Sequence, residues 1–451
     1  MNFENLNMRS RNTNSGNESI TPNSGRTILV GDVVLNAPEE RHHTSPLLTF
    51  NGTNGNFSLS AEQLSRGMML IGSTGMGKTT IFQKAIDQLI PKMTTNDVMF
   101  IFDSKADFLE RYYQNSSKCV VISVKSEHEK ICKSWNIFGE LFDENGTLKF
   151  ADIYAKEISK ALFKNLESGT QPFFHIASAD LFASILGCFC RNAEASGDFS
   201  KLNNKTLIDF IVSASVQDIY QLLNKYPQYR YIQSYLGNPG SMNNQALGIL
   251  GYLYGMVSSI FVGPFRNSTP AGQFSMRRLM REKQGRIVFL EYDTSLGATL
   301  SPIYSLFFDL AVKESLSLGR GNTYIIADEA NLLPYCTTFQ DLVNFGRSRG
   351  CKTMIGLQSI NQLYNNYGEE EAKAIMAGFV NAICLGAVDS DTRTFISERF
   401  GQTFEIVTFG GTNLQRNGYT VQESDIHQLQ IGEAFVDLQG CKPFKFKFKN
   451  T

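Results

Sequence analysis

The octapeptide Gly72-Ser73-Thr74-Gly75-Met76-Gly77-Lys78-Thr79 constrains this chain more than any other stretch. It satisfies GxxxxGK[ST], in which backbone N–H groups curl around phosphate oxygens and a side chain at the glycines would block the approach. Such a loop works between a strand and a helix, because the helix N-terminus adds its dipole to the anion site. Both neighbours are present. An apolar run at 68–71 precedes the loop, and an amphipathic pattern over 79–89 follows and stops at Pro91. Lys78 is then placed to reach the β- and γ-phosphates of ATP and Thr79 to offer its hydroxyl to Mg²⁺, with Thr80 completing the candidate phosphate-binding set.

Short apolar runs at 98–102 and 120–124 continue the alternation, and strand–helix–strand order predicts parallel pairing in an α/β layered sheet. Further runs at 286–291, 323–327, 353–357 and 382–385 are separated by helical patterns such as 302–315. Between the two groups the texture changes. Phe150, Ile153, Tyr154, Ile158, Ala161, Leu162 and Leu166 fall at helical spacing, and 173–190 and 215–226 follow the same period. The expected organisation is a nucleotide-binding domain in two parts, 26–135 and 266–451, split by an all-α insert at 136–265. Residues 1–25 form a flexible polar tail. A length of 451 residues suits about three domains at ~150 residues each. Residues 442–449 alternate Phe with Lys, a strand with one solvated face, and Trp135 is expected to pack where insert and sheet meet.

Composition excludes several classes. Forty-two Lys+Arg against 43 Asp+Glu leave a net charge of −1, so a histone-like polycation is ruled out and any nucleic-acid site must be a local basic surface. Arg277, Arg278, Arg281, Lys283 and Arg286 form one candidate cluster, with a solvated helix face as the equal alternative. Nothing matches a recognition helix or zinc finger, so contact with DNA would be non-sequence-specific. The eight cysteines lack a CxxC pair and are expected as free thiols of a reducing compartment. His42, His43 and His175 are expected at the surface or in packing rather than on a metal. The N-terminus lacks the apolar core of a secretory signal. Residues 246–265 carry no charge and could span a bilayer, but four Gly, two Ser and a Pro favour a buried helix.

The run 323–327 ends in Asp328-Glu329. An Asp at that place holds the Mg²⁺ shell, and a neighbouring Glu can orient and polarise an attacking water, which points to hydrolysis as a working step. Gln358 closes the run 353–357 and is a candidate γ-phosphate sensor. Gly346-Arg347-Ser348-Arg349-Gly350 leads into that run. Its arginines suit a finger reaching a neighbouring subunit's nucleotide, or equally a solvated loop or a DNA-phosphate contact.

With these pieces in order, the chain resembles the coupling ATPases of type IV secretion and conjugation, the TraG/TraD group. The resemblance runs over 31–401. Besides the phosphate loop it rests on Asp103-Ser104-Lys105, Ser134-Trp135-Asn136, Asp328-Glu329-Ala330-Asn331-Leu332-Leu333-Pro334, Gly346-Arg347 and Gln358-Ser359-Ile360-Asn361-Gln362-Leu363, followed by Tyr367-Gly368, Asp391-Thr392 and Ser397-Glu398-Arg399-Phe400-Gly401. It implies a RecA-like P-loop NTPase fold with a mostly parallel central sheet and an inserted all-α domain. It also implies a ring, usually a hexamer, that brings DNA–relaxase or protein substrates to the membrane components of a secretion channel. By the same resemblance Lys78 and Thr79 bind phosphate and Mg²⁺, Asp328 and Glu329 form the acidic pair, Gln358 is the sensor and Arg347 the trans-acting finger.

Two departures stand out. Ala106 and Asp107 replace the Gly-Glu that usually follows the lysine, and no apolar run of transmembrane length precedes the phosphate loop. A soluble variant, or a cytoplasmic protein docking to a separate membrane subunit at the inner face of the cell membrane, would explain the second. Two other functions compete: a double-stranded DNA translocase of the FtsK/HerA kind, and a nucleotide-gated platform that recruits a relaxase while hydrolysing little.

Overall fold

In the computed structural model, residues 26–39, 45–164, 172–237, 244–409 and 412–449 are described. The expected polar tail at 1–25 and the pair His42/His43 lie outside them. A nine-stranded sheet organises the rest. Its strands are β1 (Met68–Ile71), β2 (Val98–Asp103), β3 (Cys119–Ile122), β4 (Arg286–Glu291), β5 (Thr323–Ala327), β6 (Cys351–Leu357), β7 (Asn381–Leu385), β8 (Glu433–Asp437) and β9 (Phe444–Lys447). Their spatial order is β9-β8-β7-β1-β6-β5-β2-β4-β3. From β7 to β3 all neighbours are parallel, and β8 and β9 add an antiparallel edge. This is the RecA-like P-loop arrangement.

The central strands are buried on both faces, which is why they appear in the sequence as unbroken apolar runs rather than alternating ones. Alternate residues nonetheless serve two cores. Met69, Ile71, Phe100, Phe102 and Ile325 face one, and Met68, Leu70, Met99, Ile101 and Ile326 face the other. The second core is closed by helix α1 (Lys78–Leu89), by a hairpin of Leu48–Gly52 and Gly55–Leu59, and by β9. As expected, β9 alternates: Phe444 and Phe446 are buried, Lys445 and Lys447 exposed.

Among the described residues every element from Ile137 to Phe265 is helical. The chain leaves the sheet region through Ser134–Trp135 and returns through Gln273–Phe274, which pair in parallel. Trp135 marks the junction: its ring stacks on Phe261 at 5.8 Å and meets Phe307 edge-on at 5.2 Å. The charge-free stretch lies in a helix, Asn244–Ile260, whose Ile249, Leu253, Val257 and Ile260 are buried. The described helix that is long and apolar enough to cross a membrane is a different one, Phe173–Ser196, and 72% of its apolar window is buried inside the fold. A three-stranded antiparallel sheet of Arg26–Gly31, Gln402–Phe409 and Thr412–Tyr419 was not foreseen.

The basic cluster requires correction. Arg277 is 4% exposed and pairs with Glu157 and Glu314, Arg281 pairs with Glu314 at 2.7 Å, and the buried Lys283 ammonium donates to the Arg320 carbonyl. Arg286 and Arg278 both pair with Glu282. These cations are mostly spent inside the fold, joining the helix Met276–Glu282 to its neighbours; Arg278 alone of the five keeps a largely exposed side chain. Neither a DNA-facing patch nor a solvated helix face describes them.

Candidate functional site

The phosphate loop leaves the C-terminal end of β1 and enters α1 through Gly77, which adopts a left-handed φ of 99°. Gly75 is also left-handed, at 81°. A Cβ at either would strain the loop, so glycine is required there for conformation. The amides of the first turn of α1 have no acceptor inside the helix and are free for an anion. Neighbouring strand ends hold the loop in place. The Gly72 amide donates to Leu357 O at 3.1 Å and the Ser73 amide to Gly386 O at 2.8 Å.

Parallel register brings the other groups to the same sheet edge. Ala327 lies beside Phe102 on one side and Ile355 on the other, and Leu357 lies beside Ile71. Asp328, Asp103, Gln358 and the loop therefore emerge together. Gly356 permits the close fit, since a Cβ there would stand 2.1 Å from the Asp328 carbonyl oxygen.

Lys78 is buried and its ammonium donates to Gly72 O at 2.5 Å and Ser73 O at 3.1 Å. Burial pulls its pKa down to about 8. Asp328 is pushed the other way, up to about 7, by burial and then by the nearby charges of Asp103 and Glu329. Gln358 bridges the two halves of the site: its amide N–H donates to Glu329 Oε1, and its Oε1 accepts from Thr74 Oγ1 at 3.0 Å. A cleft of about 290 Å³ is lined by Thr74, Gly75, Gly77, Lys78, Thr79, Thr80, Asp328, Glu329 and Gln358, and by Lys105.

Of the expected site residues, only Arg347 lies elsewhere. It precedes β6, at the opposite edge of the sheet from Gln358, which follows β6. Its guanidinium is half exposed and pairs with Glu62 at 3.0 Å. Reasoning from residue types gave no role to Ser104 or Lys105, which only the family pattern singled out. The Ser104 hydroxyl lies 3.3 Å from Asp328 Oδ1 and 3.1 Å from Glu329 Oε2, and Lys105 Nζ 3.9 Å from Glu329 Oε2. The available signal was the polar triplet closing an apolar strand, the same mark that identified Asp328-Glu329.

The donor set suits a magnesium nucleotide. A hydroxyl, a buried carboxylate and an ammonium held on loop carbonyls surround a cradle in which the position facing Gly75 is open.

Comparison with known proteins shows the family and the fold. Residues 52–432 match the family model described as the type IV secretion-system coupling protein DNA-binding domain. The coupling protein TraD of Escherichia coli (strain K12) is 20% identical over 415 residues, covering 86% of this chain and 53% of TraD. The type IV secretion system-coupling protein VirD4 of Bartonella henselae is 21% identical over 427 residues, covering 89% of this chain and 64% of VirD4. The chain thus spans between half and two thirds of these curated relatives. Among solved structures, the plasmid coupling protein TrwB in complex with ADP and Mg²⁺ superposes with a TM-score of 0.72 at 18% identity, covering 94% of this chain and 95% of that one.

Proposed function

The chain belongs to the family of type IV secretion-system coupling protein DNA-binding domains, and from that premise we propose that it is an ATP-hydrolysing coupling protein that moves DNA or protein substrates into a secretion or conjugation channel. The observation that carries the proposal is Gln358, hydrogen-bonded to Glu329 on one side and to Thr74 of the phosphate loop on the other. One residue thereby links the carboxylate suited to activate water with the loop suited to hold the triphosphate. TrwB, solved with ADP and Mg²⁺ and with an ATP analogue, supports nucleotide binding by the same fold.

In this reading the Lys78 ammonium leaves the carbonyls of Gly72 and Ser73 for phosphate oxygens, and the amides of the loop and of the first turn of α1 complete the cradle. Thr79 and Asp328 would hold Mg²⁺, which neutralises charge on the β- and γ-phosphates when bound. Glu329 orients a water toward the γ-phosphorus and accepts its proton as the bond to the bridging oxygen breaks. Gln358 holds the Glu329 carboxylate in position and senses the γ-phosphate through its contact with Thr74.

The same reading assigns 26–135 and 266–451 to one nucleotide-binding unit and 136–265 to an all-α insert, closed off where Ser134–Trp135 pairs with Gln273–Phe274. It also assigns non-sequence-specific DNA, a relaxase or other substrate, membrane components of the channel and a homo-oligomeric, hexameric ring as partners. The place of action is the inner face of the cell membrane. ATPase turnover with and without DNA tests the proposal. We expect DNA-stimulated turnover, lost in Lys78→Ala. Glu329→Gln should bind ATP yet turn over at least 100-fold more slowly. Wild-type turnover in Lys78→Ala would remove the motor, and a negligible rate in the intact chain with no stimulation by DNA would favour the docking platform.

A further inference from the structure

Two of the most exposed large apolar side chains in the described molecule stand on one flank of the phosphate loop: Val388 at 69% and Ile431 at 60% exposure. Single exposed apolar residues are ordinary at a protein surface. These two differ because separate chain segments bring them to the same loop. Val388 follows β7, and its amide donates to Ser73 Oγ at 3.0 Å. Ile431 precedes β8, and the next amide, Gly432 N, donates to Met76 O at 3.3 Å. Both segments also meet at Gly386, where a Cβ would lie 2.7 Å from Met76 Cε and 3.3 Å from Leu429 O. The Arg393 guanidinium, donating to Val388 O, holds the first segment from behind.

The polarity of a bound nucleotide selects an occupant. Every group suited to a γ-phosphate, namely Glu329, Gln358 and Asp328, stands on the β6–β5 flank of the loop. A triphosphate with its γ end there and its β-phosphate over the start of α1 must carry its nucleoside toward the other flank. That is the β7–β8 side, where Val388 and Ile431 stand. We propose that Val388 and Ile431 form the nucleobase clamp of this site, burying the flat apolar faces of the base while the phosphate loop holds the other end of the ligand. The proposal rests on the nucleotide-binding reading above and adds the residues that recognise the nucleoside.

Calorimetric titration of the full chain with Mg²⁺·ATP and, separately, with Mg²⁺·tripolyphosphate tests it, because the second ligand keeps the phosphates and lacks the base. The intact chain should bind ATP more tightly than tripolyphosphate. Val388→Ser and Ile431→Ser should each weaken ATP by about 3- to 10-fold, and the double variant by about 10- to 50-fold, from lost apolar contact area. Affinity for tripolyphosphate should stay within about 2-fold in all three. Equal weakening of both ligands would overturn the clamp, since the two segments would then only support the phosphate loop. Unchanged ATP affinity with altered oligomer size by light scattering would also overturn it, assigning the pair to a contact between copies. If the intact chain bound neither ligand, the nucleotide reading itself would fail. If it bound tripolyphosphate as tightly as ATP, only the clamp would fail.

Discussion

Ala106 shows how one side chain can depart from a family pattern at a measurable cost. Its φ is +65°, the left-handed region, immediately before the helix Asp107–Tyr112, whose amides at Phe108 and Leu109 donate to the Asp103 carboxylate at 3.0 and 2.8 Å. Glycine, the residue of the family pattern set out above for this place, has no Cβ to clash. Ala106→Gly should therefore stabilise the protein by about 1 kcal/mol in urea unfolding, and a loss of stability would show that the alanine methyl contributes packing that outweighs the backbone strain.

Asp328 sets a pH dependence at the same scale. Its pKa lies above the ordinary 3.8, at about 7, so the folded state holds a proton that the unfolded state releases. The stability associated with that proton is fully present below about pH 4 and is lost as pH rises through 7. Asp328→Asn should flatten this slope and raise nucleotide-free stability at pH 8 by roughly 2–4 kcal/mol, at about 1.4 kcal/mol per unit of displacement. The same variant should lose Mg²⁺-dependent nucleotide affinity. A parallel slope in variant and parent would place the buried proton on another group.

At the scale of elements, Glu140 ties the helical segment to the helix Met276–Glu282. Its carboxylate is fully buried and accepts from Trp135 Nε1 at 3.1 Å, Ser275 Oγ at 2.9 Å and the amides of Met276 and Arg277 at 2.6 and 3.0 Å. Burial pushes the carboxyl pKa upward, and these donors oppose the shift. Glu140→Ala leaves four buried donors unpaired beside the Arg277 network, for an expected loss of roughly 3–5 kcal/mol. Chemical denaturation checks this, and a loss below about 1 kcal/mol would show that water replaces the carboxylate. Arg277 and Arg281 belong to the same network, which is why that part of a cluster that looks nucleic-acid-like in the sequence is internal. Glu157 and Glu314, their partners, lie more than thirty positions away on either side, beyond the reach of any local pattern.

At the scale of the whole molecule, the position of Arg347 bears on assembly. It stands half exposed at the sheet edge opposite its own phosphate site, and its pair with the exposed Glu62 contributes at most about 1 kcal/mol. Loss of activity in Arg347→Ala would thus not be a folding effect. Mixing Arg347→Ala subunits with Lys78→Ala subunits should restore part of the turnover if each arginine serves a neighbour's nucleotide. No rescue at any ratio would assign Arg347 to its own subunit or to structure alone.

The sequence by itself determined the strand–loop–helix of the phosphate site, the carboxylate pair closing β5, Gln358 closing β6 and the helical run after Trp135. Each depends on interactions within a few residues or on a fixed period, and local physics writes such features into neighbouring positions. Only the tertiary structure decided what distant segments do to one another. It aligned four strand ends at one edge, brought Ser104 and Lys105 to Glu329, buried Arg277 among glutamates and set Val388 and Ile431 beside the loop. Those placements come from parallel register and shared cores, in which residues hundreds of positions apart become neighbours, and no local spacing encodes such pairs.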